Sequence, residues 1–213
     1  MTNNTGDEAL DPASMLALAQ KQQKSVSSQR GSFVAIIMAG YGVALLVGFL
    51  SLRFVEGPLA WWIFVGLFAA AIALSIVLGV RGARGIRSSD SFTGTMYGIS
   101  WSLAMAGLGA LGGGLIVQGL DSHLLLLFYS SVYTLLIGLQ YFMAGIIWRS
   151  VPSLVVGGWL VIVAAVSPYL GFPNNYLLLG IAGGGAFIVL AVITAMRTRA
   201  LRLSTSTGLA TNG

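Results

Sequence analysis

The stretch Arg81-Gly82-Ala83-Arg84-Gly85-Ile86-Arg87 sets three arginines within seven residues, between two long apolar runs. An excess of Lys and Arg next to apolar spans marks the cytoplasmic face of a membrane. The flanking runs, Leu59–Val80 and Thr95–Val117, contain no Asp, Glu, Lys or Arg. Each is about 20 residues or longer, enough to cross a hydrocarbon core about 30 Å thick as helix. The loop therefore decides both the class of the protein, a membrane helix bundle, and the orientation of everything around it.

Four more such runs lie further out: Phe33–Leu52 before the pair, and Leu124–Trp148, Ser153–Leu170 and Tyr176–Met196 after it. Their length and their lack of apolar/polar alternation exclude β-barrel strands. The expected fold is all-α, a polytopic bundle of six transmembrane helices over residues 32–197. Residues 1–31 form a cytoplasmic tail with a short amphipathic helix, and 198–213 a disordered cytoplasmic tail rich in Ser, Thr and Gly. In the first tail Asp11 reads as an N-cap and Pro12 as the first helical residue. Met15, Leu18, Ala19 and Val26 share one face, opposite Lys21 and Lys24. That helix either lies on the cytoplasmic leaflet or frays as a solvated tail.

Of the 11 Lys and Arg residues, all but Arg53 fall on one side of this arrangement, so both termini are expected to be cytoplasmic, with the protein in the cell membrane. The outer loops Arg53–Pro58, Gln118–His123 and Gly171–Asn175 are short, which makes antiparallel neighbours. The glycine triplets Gly112–Gly114 and Gly183–Gly185 hint at an inverted repeat of three spans, but the first spans of the halves are offset by about 90 residues and the triplets by 71, so the register does not hold.

Composition removes several function classes. The chain is 56% hydrophobic and only 8% charged, against roughly 25% charged in soluble domains. Its net charge of +5 comes from residues at the ends of apolar runs, which anchors spans and does not indicate a nucleic-acid partner. With no cysteine there are no disulfides, thiolate metal sites or thiol nucleophiles. The first thirty residues hold no apolar signal core, so the first span is expected to act as its own membrane signal. The lone His123 sits at the outer interface, away from any partner for haem ligation or a Ser/His dyad. No catalytic residue, metal site or cofactor is expected, and the protein is not read as an enzyme.

Polar and small residues inside spans are the natural candidates, because polar groups are costly in lipid and turn inward. In the fourth span Ser130, Thr134, Gly138, Tyr141 and Gly145 recur at spacings of four and three. The stripe is either a pathway wall or a helix-packing surface. Gln140, the amide well inside a span, needs an interhelical partner. Close-packing faces are also expected at Ser100, Ala104, Gly107 and Gly114, at Gly180 and Gly184, and at Ala35 and Ala39. Pro168 either opens a cavity or ends the fifth helix.

An intramembrane carboxylate or counter-charge, usual in proton- or sodium-coupled pumps and in carriers of charged solutes, is missing from the spans. Anything moved is therefore expected to be apolar or amphiphilic, or driven by a partner. The layout of an amphipathic helix, six spans with both ends inside and a basic loop between the second and third resembles that of ABC-type export permease subunits. The segment Asp11–Gln23, DPASMLALAQKQQ, together with the glycine-rich spans, is similar to that of small six-helix bacterial membrane proteins loosely labelled transporters or permeases. The first resemblance implies that the loop from Arg81 to Gly94, with Arg81, Arg84, Arg87 and Asp90, carries a coupling element that touches an ATPase. If the chain is instead a vitamin-binding subunit of the energy-coupling type, Ala35 and Ala39 are expected to be a docking face. Expected partners are the lipid bilayer and an ATPase or other membrane subunit, with a homo-oligomer left open. A scaffold, sensor or assembly protein that transports nothing is the alternative.

Overall fold

Proline and glycine punctuate the helices where the sequence places them. Gly57, at φ 78°, adopts a left-handed conformation that suits glycine, and Pro58 then opens a helix from its first position. At Gly119, also φ 78°, the Gly119 amide donates to the Ile116 carbonyl at 2.9 Å and the Leu120 amide to the Leu115 carbonyl at 3.0 Å. This paired bonding closes the end of a helix around a left-handed residue. The next helix starts on a side-chain cap, Asp121 Oδ2 accepting from the His123 amide at 2.9 Å and the Leu124 amide at 3.4 Å.

A computed structural model describes residues 12–83 and 90–210, with side chains placed at Met15 and over 34–81 and 92–200. Its helices are α1 (Pro12–Phe54), α2 (Pro58–Ala83), α3 (Asp90–Val117), α4 (Ser122–Ile147) and α5 (Val151–Val166). A 3-10 turn, Ser167–Leu170, follows. The last span is composite: α6 (Asn175–Leu178), a π-type segment Leu179–Gly184, and α7 (Gly185–Ala210). Six spans, Val34–Phe54, Pro58–Arg81, Phe92–Val117, Ser122–Ile147, Val151–Leu170 and Asn175–Ala200, are long and apolar enough to cross a membrane. The chain is a multi-pass integral membrane protein with an all-helical bundle.

Three boundaries differ from the sequence reading. The amphipathic segment and the first span form one unbroken helix, because no proline interrupts the helix after Pro12 and the one glycine at their junction, Gly31, costs only about 1 kcal/mol. At about 1.5 Å per residue, α1 is roughly 65 Å long and extends well past a core of roughly 30 Å. The tail after residue 198, read as disordered, continues as helix to Ala210, its Ala200-Leu201-Arg202-Leu203 segment being built of strong helix formers. The loop read as Arg81–Gly94 is shorter, since α2 runs to Ala83 and α3 begins at Asp90. Pro168 ends α5 at Val166 by starting the 3-10 turn.

Two closely packed bodies make the interior. In one, α1 is flanked by α2 and α7 and carries the π-type segment; in the other, α4 and α5 are paired. Their side chains meet in one core that includes Met38, Leu45, Phe49, Ile137, Leu160 and Phe187. By contrast, the spans of α2 and α3 are each only 11% buried, against 44% for α1. The main neighbour of α2 is α1, and that of α3 is α4. These two helices line the flanks of the bundle and leave a gap between them.

Candidate functional site

Glycine lets the paired helices meet at their backbones. A Cβ at Gly138 would lie 2.9 Å from the Val161 nitrogen and 3.0 Å from the Gly157 carbonyl oxygen. At Gly157 a Cβ would run into the backbone of Phe142. The second body repeats the device: at Gly184 a Cβ would meet the Leu46 nitrogen at 2.5 Å and the Gly42 carbonyl oxygen at 2.9 Å. Small residues are the usual means of such approach in membranes, where packing substitutes for a hydrophobic driving force.

These contacts settle where the predicted stripe lies. Ser130, Thr134 and Gly138 are buried, and Tyr141 stacks edge-on against Phe187 at 4.8 Å. The Thr134 hydroxyl donates to the Ser130 carbonyl at 2.8 Å, the self-contained bonding of a packing surface. Beside it sits a buried polar knot. Ser131 Oγ and Ser167 Oγ lie 2.6 Å apart, and Asn175 Nδ2 donates to Ser130 Oγ at 2.8 Å, while Asn175 Oδ1 has no partner. Gln140 finds the interhelical partner that its burial requires: its Nε2 is 3.2 Å from Ser100 Oγ, and the Tyr97 hydroxyl donates to its backbone carbonyl at 2.9 Å. Both bonds tie α3 to α4.

Other expectations are corrected. A Cβ at Gly107 or Gly114 would meet nothing within 4 Å, so these positions on α3 are not packing contacts; the α3 glycine that is pressed close is Gly112, against Tyr129. Ala35 is 6% exposed and Ala39 packs against the core, so this pair faces inward and cannot serve as an external docking face. Arg81 is exposed at the end of α2. Asp90 begins α3, and Arg84 and Arg87 lie outside the described residues.

A cavity of about 1230 Å³ lies in the gap between α2 and α3. Its walls include Ile72, Ile76 and Val80 of α2 and Tyr97, Trp101 and Met105 of α3, and its floor includes Tyr41 of α1 and Tyr133 and Ile137 of α4. None of its lining residues is Asp, Glu, Lys, Arg or His. Apart from Tyr133 near the middle of α4, which also lines the smaller cavity described below, the lining residues belong to the half of the bundle nearer the arginine-bearing loops, reaching mid-span on α3 (Gly94 to Met105) and running from Ile72 to Val80 on α2. On α4 the lining face is Tyr133, Ile137, Ala144 and Trp148, one helical face away from the predicted stripe. That face is regular in the sequence, but its apolar residues look like ordinary core until the gap opposite them is known. A smaller cavity of about 280 Å³ at the other end is walled by aromatic rings, among them Phe49, Trp61, Phe64, Tyr129 and Tyr176. Among the described residues no group of three or more His, Cys, Asp or Glu side chains could hold a metal ion.

One more feature marks the rim of the large cavity. Arg149, between the lining residues Trp148 and Ser150, has φ 49°. It closes α4 as Gly119 closes α3: its amide donates to the Ile146 carbonyl at 3.4 Å, and that of Ser150 to the Gly145 carbonyl at 2.9 Å. Glycine is the residue that suits this position, and an L side chain there costs about 1–2 kcal/mol.

No protein-family model, curated protein or solved structure matches the chain.

Proposed function

We propose that the protein is a permease-like transport subunit that receives an apolar or amphiphilic molecule from the bilayer and works with a partner ATPase. The observation that carries this reading is the cavity of about 1230 Å³ between two sparsely packed helices, lined without a charged side chain. Its volume is somewhat above that of ordinary ligand sites, which run to roughly 1,000 Å³. Charged solutes would find no counter-charge inside it, whereas a molecule already dissolved in lipid could reach it sideways between α2 and α3. The partner is inferred from chemistry: the chain has neither an intramembrane carboxylate to couple to an ion gradient nor a phosphate-binding loop of its own. Arg81 and the loop that follows it remain the natural contact for such a subunit.

Affinity purification of the full chain from native membranes tests the reading. An ATPase recovered in stoichiometric amount, its turnover changed by an amphiphile that also photo-labels α2 or α3, is the expected result. A second reading, a membrane scaffold, draws on the same sparse burial of α2 and α3, since a partner helix would fill the gap equally well. In that case a helix of another membrane protein would crosslink to Ile76 and Met105, and no ATPase would co-purify.

A further inference from the structure

We infer that the cleft between α2 and α3 binds an anionic phospholipid, its acyl chains between the helices and its headgroup on the arginines at the rim. The inference rests on the reading of this cavity as a cleft that takes a molecule from the bilayer, and it names the class of that molecule.

Three observations meet at this place. The first is length. The lining residues of α3 run from Gly94 to Met105, which is roughly 17 Å at about 1.5 Å per residue. That is close to half of a hydrocarbon core about 30 Å thick, so the cleft spans one leaflet. The second is charge. Arg81 directly follows the lining residue Val80, Arg149 sits between Trp148 and Ser150, and Arg197 lies three residues past Thr194. All three are exposed. Glu56 and Asp121, the carboxylates with described side chains, are in loops at the opposite end of the bundle. Among the described side chains these three arginines thus stand at this end against Arg53 alone at the other, with an apolar trough running inward from them, the polarity of an anionic lipid standing in its leaflet.

The third observation is Arg149 itself. Its left-handed backbone is a position that glycine would fill at lower cost, yet an arginine occupies it at the edge of the cleft. Strain kept at a ligand's edge is a reason to look there for function. A basic residue near an anionic surface contributes about 1 kcal/mol, roughly fivefold, so three acting together on one headgroup give on the order of a hundredfold preference over a zwitterionic lipid.

The experiment uses the full chain reconstituted in equal phosphatidylglycerol and phosphatidylcholine, with retained lipid read by native mass spectrometry. Wild type should keep one phosphatidylglycerol in preference to phosphatidylcholine. Arg149→Gly should melt at the same or a higher temperature and lose roughly fivefold of that preference. Arg81→Gln with Arg197→Gln should lower it further, while leaving eight of the ten basic residues on that face to keep orientation. Gly98→Leu, at a lining position where a Cβ meets nothing within 4 Å, should reduce retention of either lipid although every arginine remains. Phosphatidylglycerol retention unchanged in Gly98→Leu would show the arginines holding ordinary boundary lipid and would overturn the inference. So would a wild type without preference. A neutral fluorescent diacylglycerol separates the two readings: if it binds wild type but not Gly98→Leu while phosphatidylglycerol shows no preference, the cleft stands and the anionic ligand falls. If neither binds, both fall.

Discussion

The hydroxyl oxygens of Ser131 and Ser167 lie 2.6 Å apart in the buried interior, joining α4 to the turn that ends α5. Ser167 is 0% exposed, so neither water nor lipid can replace this partner. Removing one hydroxyl leaves the other unpaired, at a cost of about 1–3 kcal/mol. Ser131→Ala and Ser167→Ala should each lower the melting temperature in detergent, and the double variant should lose less than the sum. A double-mutant cycle should return a coupling near the average of about 0.6 kcal/mol for hydrogen bonds in membrane bundles, and no more than about 1.7 kcal/mol. Strict additivity would mean that the pair contributes nothing to stability.

Gly157 and Gly107 give opposite expectations for the same substitution. At Gly157→Ala the new methyl would strike the Phe142 backbone, which cannot move without separating α4 from α5. Overpacking of this kind costs about 1–3 kcal/mol. At Gly107→Ala the methyl meets open space, and helix propensity favours alanine by up to about 1 kcal/mol. Thermal melts of the two variants should therefore move in opposite directions. A stable Gly157→Ala protein would contradict the close approach of α4 and α5.

Gln140 and Ser100 help to hold α3 against α4, its main neighbour, beside the Tyr97 hydrogen bond and the Tyr97–Trp148 ring contact at 4.8 Å. Gln140→Leu removes the amide contact at 3.2 Å but leaves the Tyr97 bond to the backbone carbonyl. The expected result is faster amide exchange along α3, by severalfold, with α1 and α7 unchanged. Equal acceleration in all helices would mean that Gln140 supports the whole bundle and not this one helix.

Orientation is tested independently of packing. Reporter fusions after Arg87 and after Asn175 should report opposite sides of the membrane, cytoplasmic and external respectively, because all basic residues but Arg53 lie on the first side. Moving two arginines from the Arg81–Arg87 stretch into the Arg53–Pro58 loop should give mixed orientation. Both fusions on one side would remove the six-span arrangement.

The spans were legible in the sequence because hydropathy and charge act along the chain: the run read as Tyr176–Met196 emerges as Asn175–Ala200, with α6, the π-type segment and α7 hidden inside it. Gln140's need for a partner and the close contact at Gly184 were legible for a similar reason, since a buried amide or a glycine in a span states a local requirement. The cavity was not. Tyr41, Trp101 and Tyr133 line it together only because α2 and α3 stand apart, and the separation of two helices leaves no mark on the periodicity of either. Gly107 shows the converse. Its spacing from Ser100 and Ala104 is that of a packing face, but a face can point at lipid as readily as at protein.

The π-type segment Leu179–Gly184 has a consequence for rotational phase. Bonding from residue i to i+5 accommodates one more residue than an α-helix would, so everything from Gly185 onward is turned by about 100° relative to a continuous winding from Asn175. Asn175 and Phe187 both face the interior, each 0% exposed, and do so out of phase with a single helix. Within the segment the Ala182 carbonyl accepts the Trp159 indole N–H at 2.9 Å, which clamps α5 onto it. The last span thus works as two helical screws of the same pitch, cut and rejoined a fraction of a turn apart. Deleting one residue here would realign the threads and swing Phe187 away from Tyr141, while changing the hydropathy of the span hardly at all.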